Sequence, residues 1–365
     1  MGIKANWYLT SKLAGSGALW RLLSVGVVML SMAWLSACAN DAQLPAIERV
    51  VAFGDSNVDN GNLLRITGQK IPAPPRWKGR ESNGPVVVEY LARFLHARLE
   101  SYAVSGATSG ESNSMSLLQP QFAARFEGLK ATGLSGQVER FIRDGGTLHK
   151  SDLVVIWAGS NDLFGAASPD ILSQRITEAS ANFERVIELL HKAGGRRMLV
   201  VNRTPRDKIG LPNDQAGMAL NAAMAQVVKR ASSLFGSDIQ LFDAYAAVSD
   251  MVRNPQPYGL SETMAWCMTT PACVTEKFDD GLAVAESFIN WDGAHKTTKV
   301  HRLMARQMLR LVVGAAACRR DPSPASSPLG SASRPPGGQP GGSAADFDPG
   351  CRTPAARPGQ RPASQ

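Results

Sequence analysis

The stretch VVAFGDSNVDNGN (50–62) runs four apolar residues into Gly54, Asp55 and Ser56, and then into a cluster of Asn, Asp and Gly. Three chemistries fit those residue types: a calcium loop, a phosphoryl-accepting aspartate, or a turn presenting a serine nucleophile. Asp55, Asn57 and Asp59 match the first three alternate ligand positions of an EF-hand loop, but Asn60 and Ile66 stand where that loop needs Gly and Glu. A DxD phosphatase needs a second Asp where Asn57 stands. Ser56 remains, at the exit of a buried strand, where parallel α/β sheets gather catalytic groups. Its competing role is a plain turn or helix cap. Asp59, Asn60 and Asn62 suit local backbone bonding in the turn that follows.

A serine attacks at neutral pH only when a base takes its proton. Of five histidines, His96, His191 and His301 fall on expected amphipathic helices and His149 lies in a polar loop. His295 sits in NWDGAHKTT, three residues after Asp292 and just before a helix. That spacing lets a loop fold the carboxylate under the imidazole, fix its tautomer and stabilise the imidazolium. Asp-x-x-His alone is more often a turn, so its weight comes from combination.

Acyl transfer also needs donors for the developing oxyanion. YAVSGATSG places Gly106 after a short strand, where bare backbone can approach a ligand. LVVIWAGSNDLF ends an apolar strand with Asn161, whose amide donates without proton transfer. Either segment alone reads as a strand-ending turn.

The elements that must position these residues alternate between short apolar runs and longer amphipathic ones, the pattern of βαβ units. Strands are expected at RVVAFG, LESYAV, LVVIWAG, RRMLVVN and DIQLFD, and helices at 85–98, 134–143, 169–192, 214–235 and 298–313. Val300, Leu303, Met304, Met308 and Leu311 give the last helix a core face.

FGDSNVDNGN, AVSGATSG, WAGSND and WDGAH, in this order, resemble the GDSL or SGNH hydrolase family. FGDSNVDNGN and LSGQVERF resemble its plant-lipase-like branch, which includes bacterial secreted phospholipases and lecithinase or hemolysin-like esterases. The resemblance implies a three-layer α/β/α flavodoxin-like domain with a parallel five-stranded sheet. It also implies Ser56 as nucleophile, His295 as base and Asp292 as its orienter, with Ser56 N–H, Gly106 N–H and the Asn161 side chain as oxyanion donors. No metal or organic cofactor is required, and the partner is an ester or lipid substrate. The chain departs from the family name at Asn57, where the motif has Leu. A polysaccharide O-acetyl esterase is the rival enzyme, and an inactive surface-binding module the rival of another class. Trp291 suits either a pocket wall or a core, and 109–133 and 255–288 are candidate walls or lids.

The net charge of +8 belongs mostly to the ends: three basic residues before Cys38 and a net +3 after Cys318 leave about +2 between them. The footprint of a nucleic-acid domain is therefore missing. Residues 1–37 read as a lipoprotein-type signal peptide ending in LSAC, with Cys38 as the lipidated residue and 38–43 as a short linker. Ala39 fits sorting to the outer membrane, so an exported, lipid-anchored protein is expected, with plain secretion or an uncleaved membrane anchor as the alternatives. The hydrolase domain is expected over 44–318, and the Pro/Gly/Ser-rich stretch 319–365 as a disordered tail. Four cysteines then remain in a compartment where disulfides persist, and Cys267 with Cys273 is the local pair in CMTTPAC. None stands in a zinc-like cluster.

Overall fold

The computed structural model describes residues 46–118, 120–206 and 212–314. The leader, Cys38, the 38–43 linker, Cys318, Cys351 and the 319–365 tail lie outside them.

Five strands form one sheet in the order β2-β1-β3-β4-β5, every pair parallel: β1 (Arg49–Gly54), β2 (Arg98–Ser101), β3 (Asp152–Trp157), β4 (Arg197–Val201) and β5 (Asp238–Phe242). β1, β3 and β4 are almost continuously apolar because helices cover both faces. On one face, Val50, Ala52, Val155 and Leu199 pack with α1 (Val87–Phe94), α5 (Ala244–Arg253) and α6 (Thr298–Val313). On the other, Val51, Phe53, Val154, Ile156 and Val200 meet α2 (Leu134–Arg143), α3 (Pro169–Lys192) and α4 (Pro212–Phe235). This is the three-layer α/β/α arrangement, with a crevice expected at the carboxyl ends of β1 and β3, where the strand order reverses. A separate parallel pair, β6 (Glu262–Trp266) and β7 (Phe288–Asn290), leads into the His295 loop.

Two boundaries differ most from expectation. The helix foreseen over 85–98 is only Val87–Phe94, because His96 takes a left-handed φ of 53° and Ala97 N–H closes back on the Ala92 carbonyl. His96 is therefore not helical, and Arg98 begins β2. The strand foreseen as LESYAV narrows to Arg98–Ser101, although Tyr102 and Val104 still donate to the carbonyls of Ala52 and Gly54. The Asn62 side chain takes the Ser101 and Ala103 carbonyls at 2.9 and 2.6 Å, pulling the strand end toward the Ser56 turn.

Candidate active site

β1 delivers Ser56 into a turn whose geometry follows from its polar residues. Asp55 N–H donates to the Trp157 carbonyl, and the Asp55 carbonyl receives the N–H of Val58 and Asp59. Gly54 must be glycine: its φ is 144°, and a Cβ there would run into the Trp157 carbonyl. Gln137 grips the same residue, accepting from Gly54 N–H and donating to its carbonyl, each at 2.8 Å.

Asp59 is fully buried and accepts four backbone N–H groups, from Gly61, Asn62, Leu63 and Ser105. It thus builds the turn and fastens it to the next loop. Asn62 reaches the β2 end, so both residues serve the scaffold.

α6 is preceded by the loop that carries Asp292 and His295. Asp292 Oδ1 accepts the N–H groups of Ala294 and His295, each at 2.8 Å, and lies 2.9 Å from His295 Nδ1. On the far side of the ring, His295 Nε2 lies 3.0 Å from Ser56 Oγ. Serine, imidazole and carboxylate form one continuous relay from residues 239 positions apart. Burial alone would raise the Asp292 carboxyl, but the His295 hydrogen bond and charge, with the two N–H groups, hold it well below the usual carboxylate range. Burial would lower His295, yet the bonded Asp292 and its charge, helped by Glu81 and Asp55, move it above the ordinary imidazole value.

Gly106 and Asn161 line the same cavity as Ser56 and His295. Gly106 has φ 85°, and a Cβ there would come within 2.5 Å of Asn113 Oδ1. Asn113 holds the loop by donating to the Ser105 carbonyl and Thr132 Oγ1. Asn161 donates one amide hydrogen to the Ala107 carbonyl at 2.9 Å, so the second stays available. Among the described residues, the N–H groups of Ser56 and Gly106 donate to no other backbone or side-chain group.

The cavity, about 220 Å³, is polar at Ser160, Arg203, Thr204 and Arg206 and apolar at Leu63, Met115 and Phe164. Its apolar side continues into a cluster of Leu63, Val104 and Leu129 with Ile66, Ile71 and Phe126. The segment 109–133 therefore supplies a wall beside the site.

Trp291 is not a cavity wall. It is 1% exposed, packed with Cys267, Cys273, Ala285 and Phe288 behind the Asp292 loop. Cys267 and Cys273 are joined by a disulfide, their Cα atoms 5.2 Å apart. In the 255–288 segment, Met264 and Trp266 are exposed, and Trp266 leans over Gly293, whose Cβ position is 2.9 Å from its ring.

Several neighbours of the site escaped the sequence. Asp55, 1% exposed, has its carboxyl pushed up to about 6 by burial, against the Asn57 hydrogen bonds. Asp162 accepts Ser109 N–H and Oγ, pinning the Asn161 turn to the Gly106 loop, and burial raises it to about 6. Its place beside Asn161 was a usable signal. Arg76 and Glu81 come from a Pro-rich stretch with no catalytic pattern.

A parallel α/β sheet with a serine–histidine–aspartate relay at its carboxyl edge defines the class. The chain belongs to the GDSL-like lipase/acylhydrolase family, hydrolases of ester bonds, whose model matches residues 50–308. It is 26% identical over 298 residues to the thermolabile hemolysin of Vibrio parahaemolyticus, covering 74% of this chain and 66% of the hemolysin. The chain thus spans just under two thirds of that relative's length. It is 26% identical over 260 residues to a phosphatidylcholine-sterol acyltransferase of Aeromonas hydrophila, covering 66% of this chain and 71% of the acyltransferase. Among solved structures, a lipolytic G-D-S-L family member from Veillonella parvula matches with TM-score 0.43 and 13% identity, over 73% of this chain and 98% of that one.

Proposed function

We propose that this protein is a serine esterase of acyl lipids or related esters, with Ser56 as nucleophile, His295 as general base and acid, and Asp292 as the fixed carboxylate behind it. The relay of 3.0 Å from Ser56 Oγ to His295 Nε2 and 2.9 Å from Nδ1 to Asp292 carries this reading.

In the first half-reaction, Ser56 Oγ gives its proton to His295 Nε2 and bonds to the carbonyl carbon. The oxyanion forms facing the Ser56 and Gly106 N–H groups and the Asn161 amide. Collapse breaks the ester C–O bond, and the imidazolium passes its proton to the departing alcohol oxygen. Water then repeats the sequence on the acyl-enzyme, with His295 accepting its proton, and releases the acid and free Ser56. Asp292 stays ionised throughout and stabilises the imidazolium.

The apolar lining of the cavity, Leu63, Met115 and Phe164, supports an acyl chain over an acetyl group. Hydrolysis of a p-nitrophenyl ester series from acetate to palmitate, beside Ser56→Ala, tests the reading. A serine-dependent optimum at long chains supports it, while activity confined to acetate turns the reading toward polysaccharide deacetylation. Serine-independent turnover overturns the nucleophile.

The protein is further proposed to be exported and held at the outer membrane by lipid on Cys38, a reading supported by LSAC and Ala39. Metabolic labelling with a palmitate analogue, lost in Cys38→Ser, tests the anchor.

A further inference from the structure

We propose that Arg76 and Glu81 act together as a charge-compensated brace that positions Asp292 behind His295. This rests on the acyl-transfer reading of Ser56, His295 and Asp292. Arg76 Nη2 donates to Asp292 Oδ2 at 3.2 Å, and Arg76 Nε pairs closely with Glu81 Oε2. The three side chains are 24%, 16% and 15% exposed for Arg76, Asp292 and Glu81, so solvent screens the pairs only in part.

The two oxygens of Asp292 are held differently. Oδ1 is fixed by the Ala294 and His295 N–H groups, whereas Oδ2 lies 3.0 Å from His295 Nδ1 and accepts from Arg76. Arg76 therefore sets the plane of the carboxylate against the ring. A planar guanidinium can do this while also holding a second carboxylate.

A lone guanidinium at that position would oppose the task of Asp292, because a cation near the imidazole disfavours its protonated form. Glu81 offsets that charge and lines the cavity itself. Glu81, Asp292 and His295 each bring a ligand-type atom within 4.8 Å of the others, a spacing that also suits a metal ion. Here the guanidinium bridges the two carboxylates, and His295 Nδ1 is committed to Asp292.

The segment carrying the brace is tied to the histidine loop and the start of α6. Trp77 N–H donates to the Ser82 carbonyl, closing the turn that presents both side chains. Ser82 Oγ donates to the Lys296 carbonyl at 3.0 Å, and Asn83 Oδ1 accepts Thr298 N–H at 2.9 Å. The other titratable groups around His295 are Asp55, whose neighbour is Asp162, then Lys296 and His301 from its own loop and helix, with Arg203 and Arg206 across the cavity.

The test is the pH profile of kcat/KM for the full chain on p-nitrophenyl butyrate, with Arg76→Leu, Glu81→Gln, the double variant and Arg76→Lys. Arg76→Leu leaves His295 facing two uncompensated carboxylates, so its acid limb is expected at higher pH. Glu81→Gln leaves the guanidinium uncompensated, so its limb is expected at lower pH, and the double variant is expected to return toward wild type. Arg76→Lys keeps the charge but loses the planar fork; its limb is expected to stay in place while kcat falls on the order of tenfold, the scale seen when a group orienting a site from behind is lost. Displacement of the first two limbs in one direction, or of neither, overturns the proposal, as does wild-type kcat in Arg76→Lys. Ser56→Ala run alongside separates the two levels. Turnover by it overturns the acyl-transfer reading and this proposal together; an inactive Ser56→Ala with unmoved limbs overturns the brace alone.

Discussion

Asp59 accepts the N–H of Ser105 at 2.8 Å, binding the turn that follows Ser56 to the loop that carries Gly106. Ser56 and Gly106 are thus held in register by a carboxylate that touches neither. Asp59→Ala strands four backbone donors, each costing about 1 to 3 kcal/mol where water cannot replace the carboxylate. We expect urea denaturation to show a loss of at least about 3 kcal/mol, allowing for partial rescue by water. A stability change below 1 kcal/mol would sink the scaffold role of Asp59.

Asn161→Ala removes a side-chain donor and leaves the relay intact. The expected result is a fall in kcat of about 10² to 10³, the range for one oxyanion donor. A rise in KM with unchanged kcat would instead assign Asn161 to ground-state binding.

Gly106→Ala places a methyl within 2.5 Å of Asn113 Oδ1 at a backbone angle that side chains rarely adopt. Either the loop shifts or its N–H turns away from the cavity, and both remove a donor. Stopped assays should find kcat depressed by at least about tenfold, a lower bound on the loss of one donor, with near-wild-type fluorophosphonate labelling of Ser56 arguing against it.

The pH profile follows from the two members of the dyad. His295 must be neutral to accept the serine proton, and its value lies above the ordinary imidazole one, so the acid limb of kcat/KM is expected above about 6.5. Asp292 stays ionised over that range and adds no limb of its own. In stability the two act in opposite directions. The depressed Asp292 contributes above its unfolded value of about 3.9 and loses that as pH falls further, whereas the raised His295 contributes below about 6.5 and loses it as pH rises through its folded value. A limb below pH 6 would contradict the assignment of His295 as base.

Much of the fold was legible because it depends on local pattern. The apolar runs of β1, β3, β4 and β5 and the helical faces of α2, α3 and α6 each bury one kind of residue on one period, so their expected and observed spans nearly coincide. The end of the helix before β2 was not legible, since His96 takes a left-handed angle that the amphipathic pattern does not signal. The relay residues stood out because each sits in a motif at a strand end or helix start. Arg76 and Glu81 did not, because their meaning lies in the contact of Arg76 with Asp292 across 216 positions and of Glu81 with Arg76, and composition carries no trace of such pairings.

The disulfide closes a loop only six positions long and packs beside Trp291 under the Asp292 loop. Chain-entropy reasoning puts its contribution at about 2 kcal/mol. Cys267→Ser with Cys273→Ser should therefore lower stability by that order and broaden the activity loss on warming. An unchanged melting profile would show the Trp291 cluster to be self-sufficient.

Ser56 and His295 stand 239 positions apart, and α6, which follows the histidine, packs beneath the same sheet face that α1 covers. A partly emerged chain therefore carries Ser56 for most of its synthesis without the imidazole that it meets in the fold. On the acyl-transfer reading, the centre is complete only once the segment carrying His295 has folded back against the turn after β1, so the order of the motifs along the chain would act as a safety catch during biogenesis.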